Sequence, residues 1–261
     1  MTYPVCPKCG HAPLPADQAL PAACPACGLV LAKFSAAPVR TLRETRAESD
    51  DARFGSLLAR WLFHVPDRVA SVNWYARVAA LVVFTLWTVS ILHGINVRTG
   101  EMGSSGFLHT VILPFHEAGH VFFRLLGRFM AILGGTLGQH LMPIVLGVAL
   151  LVKQRDPFGA ALFFWLLGFS VVDMAIYMYD AFDPQLMLLG GKTGADSDRH
   201  DWMNIFGDLG LMPKARHIGL FFGVMGKAMM CAGLTWAAYM VWLQKARLSD
   251  SPLAESDDDR K

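Results

Sequence analysis

Charge is scarce in this sequence, and the scarcity is local. Asp, Glu, Lys and Arg make up 17% of the 261 residues, where a soluble domain carries about 25%. No glutamate occurs between Glu117 and Glu255. The first 75 residues and the last 15 are polar, so the deficit falls on the stretch between them. That distribution, with a hydrophobic fraction of 54%, seven Trp and seventeen Phe, excludes an ordinary soluble domain. An apolar export core is also missing. Met1-Thr2-Tyr3-Pro4-Val5-Cys6 leads straight into cysteines, and no cleavable signal peptide is expected. Cysteine itself is rare: of five, four fall into two pairs, and Cys231 stands alone in an apolar stretch, expected as a small buried hydrophobe. The net charge of +2 selects no class of partner.

The paired cysteines come first. Cys6-Pro7-Lys8-Cys9-Gly10 and Cys24-Pro25-Ala26-Cys27-Gly28 are separated by fourteen residues. In each, a tight turn brings a second thiolate within reach of the ion held by the first, and glycine admits the left-handed backbone that such a turn needs. Two knuckles supply four sulfurs to one closed tetrahedral site, and the repeated CPxCG resembles a zinc ribbon. A unit of this size (residues 1–35) cannot build a sufficient core, so the metal would supply most of its folding energy. Lys8 and His11 are its only basic side chains in the cysteine region, which argues against nucleic acid and leaves a protein as the expected partner.

Residues 36–75 form a linker and an approach to the membrane. Arg40, Arg43, Arg46, Arg53, Arg60, Arg68 and Arg77 precede or open the first long apolar run. Phe54, Leu57, Leu58, Trp61, Leu62 and Val65 recur at helical spacing, as in an amphipathic helix lying on a bilayer and held by Trp61 and Trp74. The arginines place this end in the cytosol. Apolar segments follow at 76–95, 107–126, 129–152, 158–182 and 218–243, each about long enough to cross hydrocarbon as a helix. The expected fold is therefore an all-α multi-pass membrane protein of about five spans (residues 76–245), integral to a bacterial inner membrane. A disordered acidic tail is expected over residues 246–261. Pro114 is expected to kink the second segment or to start a shorter helix. Gly134, Gly135, Gly138, Gln139, His140 and Pro143 suggest that the third is broken or re-entrant.

His116-Glu117-Ala118-Gly119-His120 lies inside the second segment. On a helix the two histidines project from one face, spaced to grip one metal ion, and Glu117 beside them can take a proton from water. Ionisable groups at such a depth are functional candidates. His109, seven residues earlier, stands about 10 Å away along the axis and is expected to be a hydrogen-bond donor within the bundle. A third ligand is needed. Phe123 and Leu126 occupy the places that a third-histidine extension would fill, and the missing glutamates exclude another familiar solution. Asp or His remains. Asp173 leads, because Asp173, Tyr177 and Asp180 fall within about 40° of one helical meridian. His200, in the run Asp198-Arg199-His200-Asp201-Trp202, is the alternative, with Asp201 orienting it. His140 comes third.

With HEAGH in a membrane segment and an aspartate on a later one, residues 107–182 resemble the site-2 protease family of intramembrane zinc metallopeptidases. The resemblance implies peptide hydrolysis in or near the bilayer, with His116 and His120 as ligands, Glu117 as general base and Asp173 as counterpart of the family's aspartate. That family's Asp-Gly pair is absent here, which marks a divergent relative. The expectations are two zinc ions, one in the ribbon and one in the membrane domain, and a membrane-protein substrate. A second reading is a non-enzymatic adaptor whose ribbon recruits a partner while the HEAGH site is structural or vestigial. Metal transport, suggested by His93, His109 and His140, is a third.

Overall fold

The computed structural model describes residues 3–18, 22–33, 55, 57–189, 191–197 and 199–249. The chain divides into two compact units, Met1–Gly55 and Ser56–Lys261. Most of the proposed linker (residues 34–54) and residues 250–261 of the acidic tail lie outside the described residues.

The first unit is built from two copies of one turn. The Gly10 N–H donates to Cys6 O and the Gly28 N–H to Cys24 O, with both glycines at positive φ (74° and 71°). An isolated bridge between Ala23 and Val30 and a buried Leu31 complete its small interior.

The second unit is helical. Its helices are α1 (Ser71–Gly94), α2 (Gly106–Phe123), α3 (Arg128–Ala149, extended by a π turn over Leu150–Gln154), α4 (Pro157–Asp180), α5 (Asp201–Asp208) and α6 (Ala215–Lys245). Among the described residues four helical stretches are long and apolar enough to cross a membrane: Ser71–Gly94, Arg128–Gln154, Pro157–Asp180 and Met212–Lys245. These are four candidate spans where about five were expected. The motif helix α2 is the one that drops out, because its histidines and Glu117 interrupt its apolar character. α1 also begins at Ser71, earlier than the expected 76, so the last residues assigned to the linker belong to the first span.

Contacts at the helix ends fix the path of the chain. Arg77 pairs with Asp156 at 3.3 Å, setting the start of α1 beside the turn between α3 and α4. The Trp74 indole donates to Val241 O, and β1 (Val69–Ala70) pairs in parallel with β2 (Leu248–Ser249), so α6 finishes at this same end. Residues 246–249 of the expected tail are therefore held in a turn and a short strand. At the opposite end Arg128 donates to Asp208 at 2.7 Å, and Leu186 packs on Gly100. The loop after α1, the start of α3 and the segment around α5 share that end. α2 begins and ends there. It is not among the candidate spans, and residues 183–189 and 199–214 lie at the end opposite residues 57–70.

Central α4 is the most buried span, with 61% of its most apolar window inside the protein against 11% for α1. Trp165, Phe169 and Val172 from α4 pack with Ile91, Ile112 and Met230 in the largest core cluster. The buried Trp165 indole is satisfied by Thr88 Oγ1 at 2.7 Å. Trp74 packs against a second cluster of Phe158, Met240 and Val241, so it works inside the bundle as well as near its end. Cys231, expected inside, is exposed on α6.

The glycines of α3 do not break it. They let it approach α2 closely: a Cβ on Gly119 would collide with the Gly134 carbonyl, and one on Gly138 with the Phe115 carbonyl. Pro143 removes the N–H that would have bonded Gln139 O, and Ser170 Oγ from α4 donates to that carbonyl instead, at 3.4 Å. Pro114 likewise lies inside a continuous α2.

Candidate metal centres

In the first unit Cys6 Sγ stands 3.7 Å from Cys27 Sγ, and Cys9 Sγ stands 3.8 Å from Cys24 Sγ. One sulfur from each residue lies within 4.8 Å of the others, and all four thiols are free. Desolvation raises the Cys6 thiol, but the N–H groups of Cys9 and Lys8, with the Cys9 and Cys24 thiols, outweigh it and draw the pKa down to about 6. At Cys9 the His11 N–H lowers the thiol, but the neighbouring sulfurs of Cys27, Cys6 and Cys24 push it up to about 12. Four converging sulfurs form a cluster suited to a soft divalent cation.

In the second unit α2 carries His116 and His120 on one face. The rings lie 4.7 Å apart, nearly perpendicular. Each is locked by its Nδ1. His120 Nδ1–H donates to the Ala131 carbonyl at 2.8 Å, and His116 Nδ1–H donates to Gln139 Oε1 at 2.8 Å. The Gln139 amide is itself oriented, since its Nε2 donates to Ser170 O at 3.2 Å. With Nδ1 protonated on both rings, a neutral imidazole presents only a lone pair at Nε2. Both Nε2 atoms face Asp201 Oδ2, at 3.0 and 3.3 Å. Two lone pairs pointed at a carboxylate oxygen repel unless a cation lies among them, and oriented tautomers of this kind are how proteins prepare metal ligands. His116, His120 and Asp201 each offer one atom within 4.8 Å of the others. The residues fit a divalent metal.

Asp201 owes its place to α5. Trp202, Ile205 and Phe206 bury one side of this short helix, and Asp201 at its first position shares the face of Ile205 one turn on. Its N–H donates to the Tyr177 hydroxyl at 3.2 Å.

The other sequence candidates fall elsewhere. Asp173, the leading candidate for third ligand, accepts from His109 Nδ1 at 2.8 Å and is not among the converging atoms. A shared stripe with Tyr177 was real evidence of a polar environment, but that environment is met by His109. His200 is fully buried and turned away: Nε2 donates to Asp180 Oδ2 at 3.3 Å and Nδ1 accepts from the Met203 N–H. His140 bonds the Thr136 carbonyl of its own helix. The third converging residue is therefore Asp201, the neighbour of His200, expected from the sequence only in an orienting role. The signal for it was the spacing of Asp201 and Ile205, which puts a carboxylate on the buried face of an amphipathic turn.

The centre opens into a cavity of about 800 Å³. Glu117, His109, Asp173 and Tyr177 line it with the metal-site residues, and Ile112, Leu113, Met174, Ile176 and Leu186–Leu189 supply apolar walls. Glu117 accepts no hydrogen bond from another described side chain, so its carboxylate faces the cavity uncommitted. By the rise of α4, Ser170 and Tyr177 lie about 15 Å and 5 Å from its Asp180 end. The centre thus occupies the half of the bundle nearer that end. No family model matches the chain, and neither a curated protein nor a solved structure matches it.

Proposed function

We propose that this protein is a membrane-embedded zinc metallopeptidase, a divergent counterpart of the site-2 proteases, with a zinc ribbon that binds a protein partner. The observation that carries the reading is the pair of tautomer-locked imidazoles converging with Asp201 beside Glu117 in a cavity with both polar and apolar walls. Two nitrogens and one carboxylate oxygen make the ligand set of a hydrolytic zinc site, with a position left open. A zinc ion held by His116, His120 and Asp201 would acidify water and polarise a peptide carbonyl. Glu117 takes the proton as water adds to that carbonyl, then delivers it to the departing amide nitrogen. Ile112, Leu113 and Met174 accommodate the apolar side chains of a membrane-borne segment. The arginine-rich end, with residues 57–70, faces the cytosol, and the centre lies toward the other side of a bacterial inner membrane.

The test is Glu117→Gln in the purified full chain. Glutamine keeps the shape but cannot take the proton. Two metal ions per chain should remain, while cleavage of a membrane-protein substrate falls about 10²–10⁴-fold. Cleavage at the wild-type rate would overturn the mechanism. A cellular defect in His116→Ala but none in Glu117→Gln would assign the metal a structural role instead.

A further inference from the structure

Asp180 touches none of the converging ligand atoms, yet it organises everything around Asp201. It closes α4, and its carboxylate gathers the segment that follows. Oδ1 accepts the Gln185 N–H at 2.9 Å, both oxygens accept the Leu186 N–H at 3.2 Å, and Oδ2 accepts His200 Nε2–H at 3.3 Å. His200 has its proton on Nε2 because Nδ1 accepts the Met203 N–H at 3.1 Å, capping the start of α5. Its ring lies against Tyr177, with centroids 4.0 Å apart and planes tilted by 33°. The Tyr177 hydroxyl in turn accepts the Asp201 N–H. The same carboxylate therefore fixes Leu186 in the cavity wall and the residue next to the third ligand.

We infer that Asp180 and His200 are positioning residues for the metal centre, coupling its affinity to the seating of Leu186 against the cavity and of His200 beside Asp201. The inference rests on the metal site read above. It assigns no ligand role to either residue. A carboxylate is required at position 180 because three donors converge on its two oxygens, the Leu186 N–H shared between both. Asparagine has one acceptor oxygen, and its NH₂ would be turned on either a backbone N–H or the His200 Nε2–H. The clasp would then loosen at one of its two attachments, and Asp201 would lose its fixed approach to the two imidazoles. Replacing an outer partner of this kind typically costs about 10–100-fold in metal affinity.

The experiment uses the full chain loaded with cobalt(II). Subtracting the spectrum of His116→Ala isolates the ligand-field bands of the membrane-domain centre. Thiolate-to-cobalt charge transfer from the cysteine cluster serves as an internal control. Asp180→Asn should weaken cobalt binding at the membrane-domain centre about 10–100-fold and alter its ligand-field bands, with charge transfer unchanged. Asp180→Glu should restore part of the loss. Tyr177→Phe, which deletes only the hydroxyl that accepts the Asp201 N–H, should shift the same bands and supplies the reading if Asp180→Asn does not assemble. Wild-type affinity and bands in both Asp180→Asn and Tyr177→Phe would overturn the inference while leaving the metal centre standing. If the wild type holds cobalt only at its cysteines, the metal centre and the inference fall together.

Discussion

Gly135 is the position at which α3 passes the two imidazoles, and replacing it with alanine should empty the membrane-domain centre without unfolding the bundle. A Cβ there would stand 2.5 Å from His116 Nε2 and 2.6 Å from His120 Nε2. Unbonded carbon and nitrogen rest at about 3.5 Å, so both rings would have to withdraw by about 1 Å. Neither ring is free to do so, since each Nδ1 is bonded to Gln139 or Ala131. Ligand distances in a metal site hold to about 0.2 Å, and a displacement of about 1 Å in a working site can cost about 100-fold. A loss of affinity of at least about 100-fold is the expected result. The helix itself should not suffer, because alanine is favoured over glycine in a helix by about 1 kcal/mol. Metal content and chelator competition on the purified chain measure the loss, and circular dichroism with a thermal melt checks the fold. Gly138→Ala makes the useful contrast. Its Cβ meets the Phe115 backbone rather than a ring, so it should part the helices and lose stability together with metal. Retention of the membrane-domain metal at wild-type affinity in Gly135→Ala would refute the placement of the ion.

Two further outcomes follow from the architecture. A fragment of residues 1–34 should lose its chemical-shift dispersion when a chelator removes its metal, because four thiols and a buried Leu31 are most of what holds it; dispersion that survives would contradict a metal-dependent fold. An epitope inserted after Met187 and one after Ser249 should be reached by antibody from opposite faces of sealed vesicles, and access from the same face would contradict the four-crossing arrangement.

The sequence was most legible where chemistry repeats at fixed spacing. The CPxCG pairs and HEAGH named six side chains that the structure gathers into two clusters, because local turn and helix geometry alone brings them together. The remaining ligand was not local. Asp173 and Asp201 are both aspartates near aromatic residues, and choosing between them needed the tertiary fact that His109 occupies the first. The number of candidate spans differs from the expectation for a related reason. α2 is about long enough to cross, and its four ionisable side chains are what take it out of the candidate spans. The glycines and Pro143 of α3 were read as breaks because a sequence does not show the helix that approaches them or the hydroxyl of Ser170 that satisfies the freed carbonyl.

The separation of the ligands along the chain has a consequence for biogenesis. His116 and Asp201 are 85 residues apart, with two complete crossings between them. α2 alone would bring its histidines and Glu117 into lipid with nothing to face, so it must enter as a hairpin with α3, whose glycines receive it. The ion cannot be gripped by all three ligands until α4 has inserted and α5 has docked behind it. Metal capture at this centre would therefore come late in assembly, and an ion held by both histidines and Asp201 would be the mark of a finished molecule.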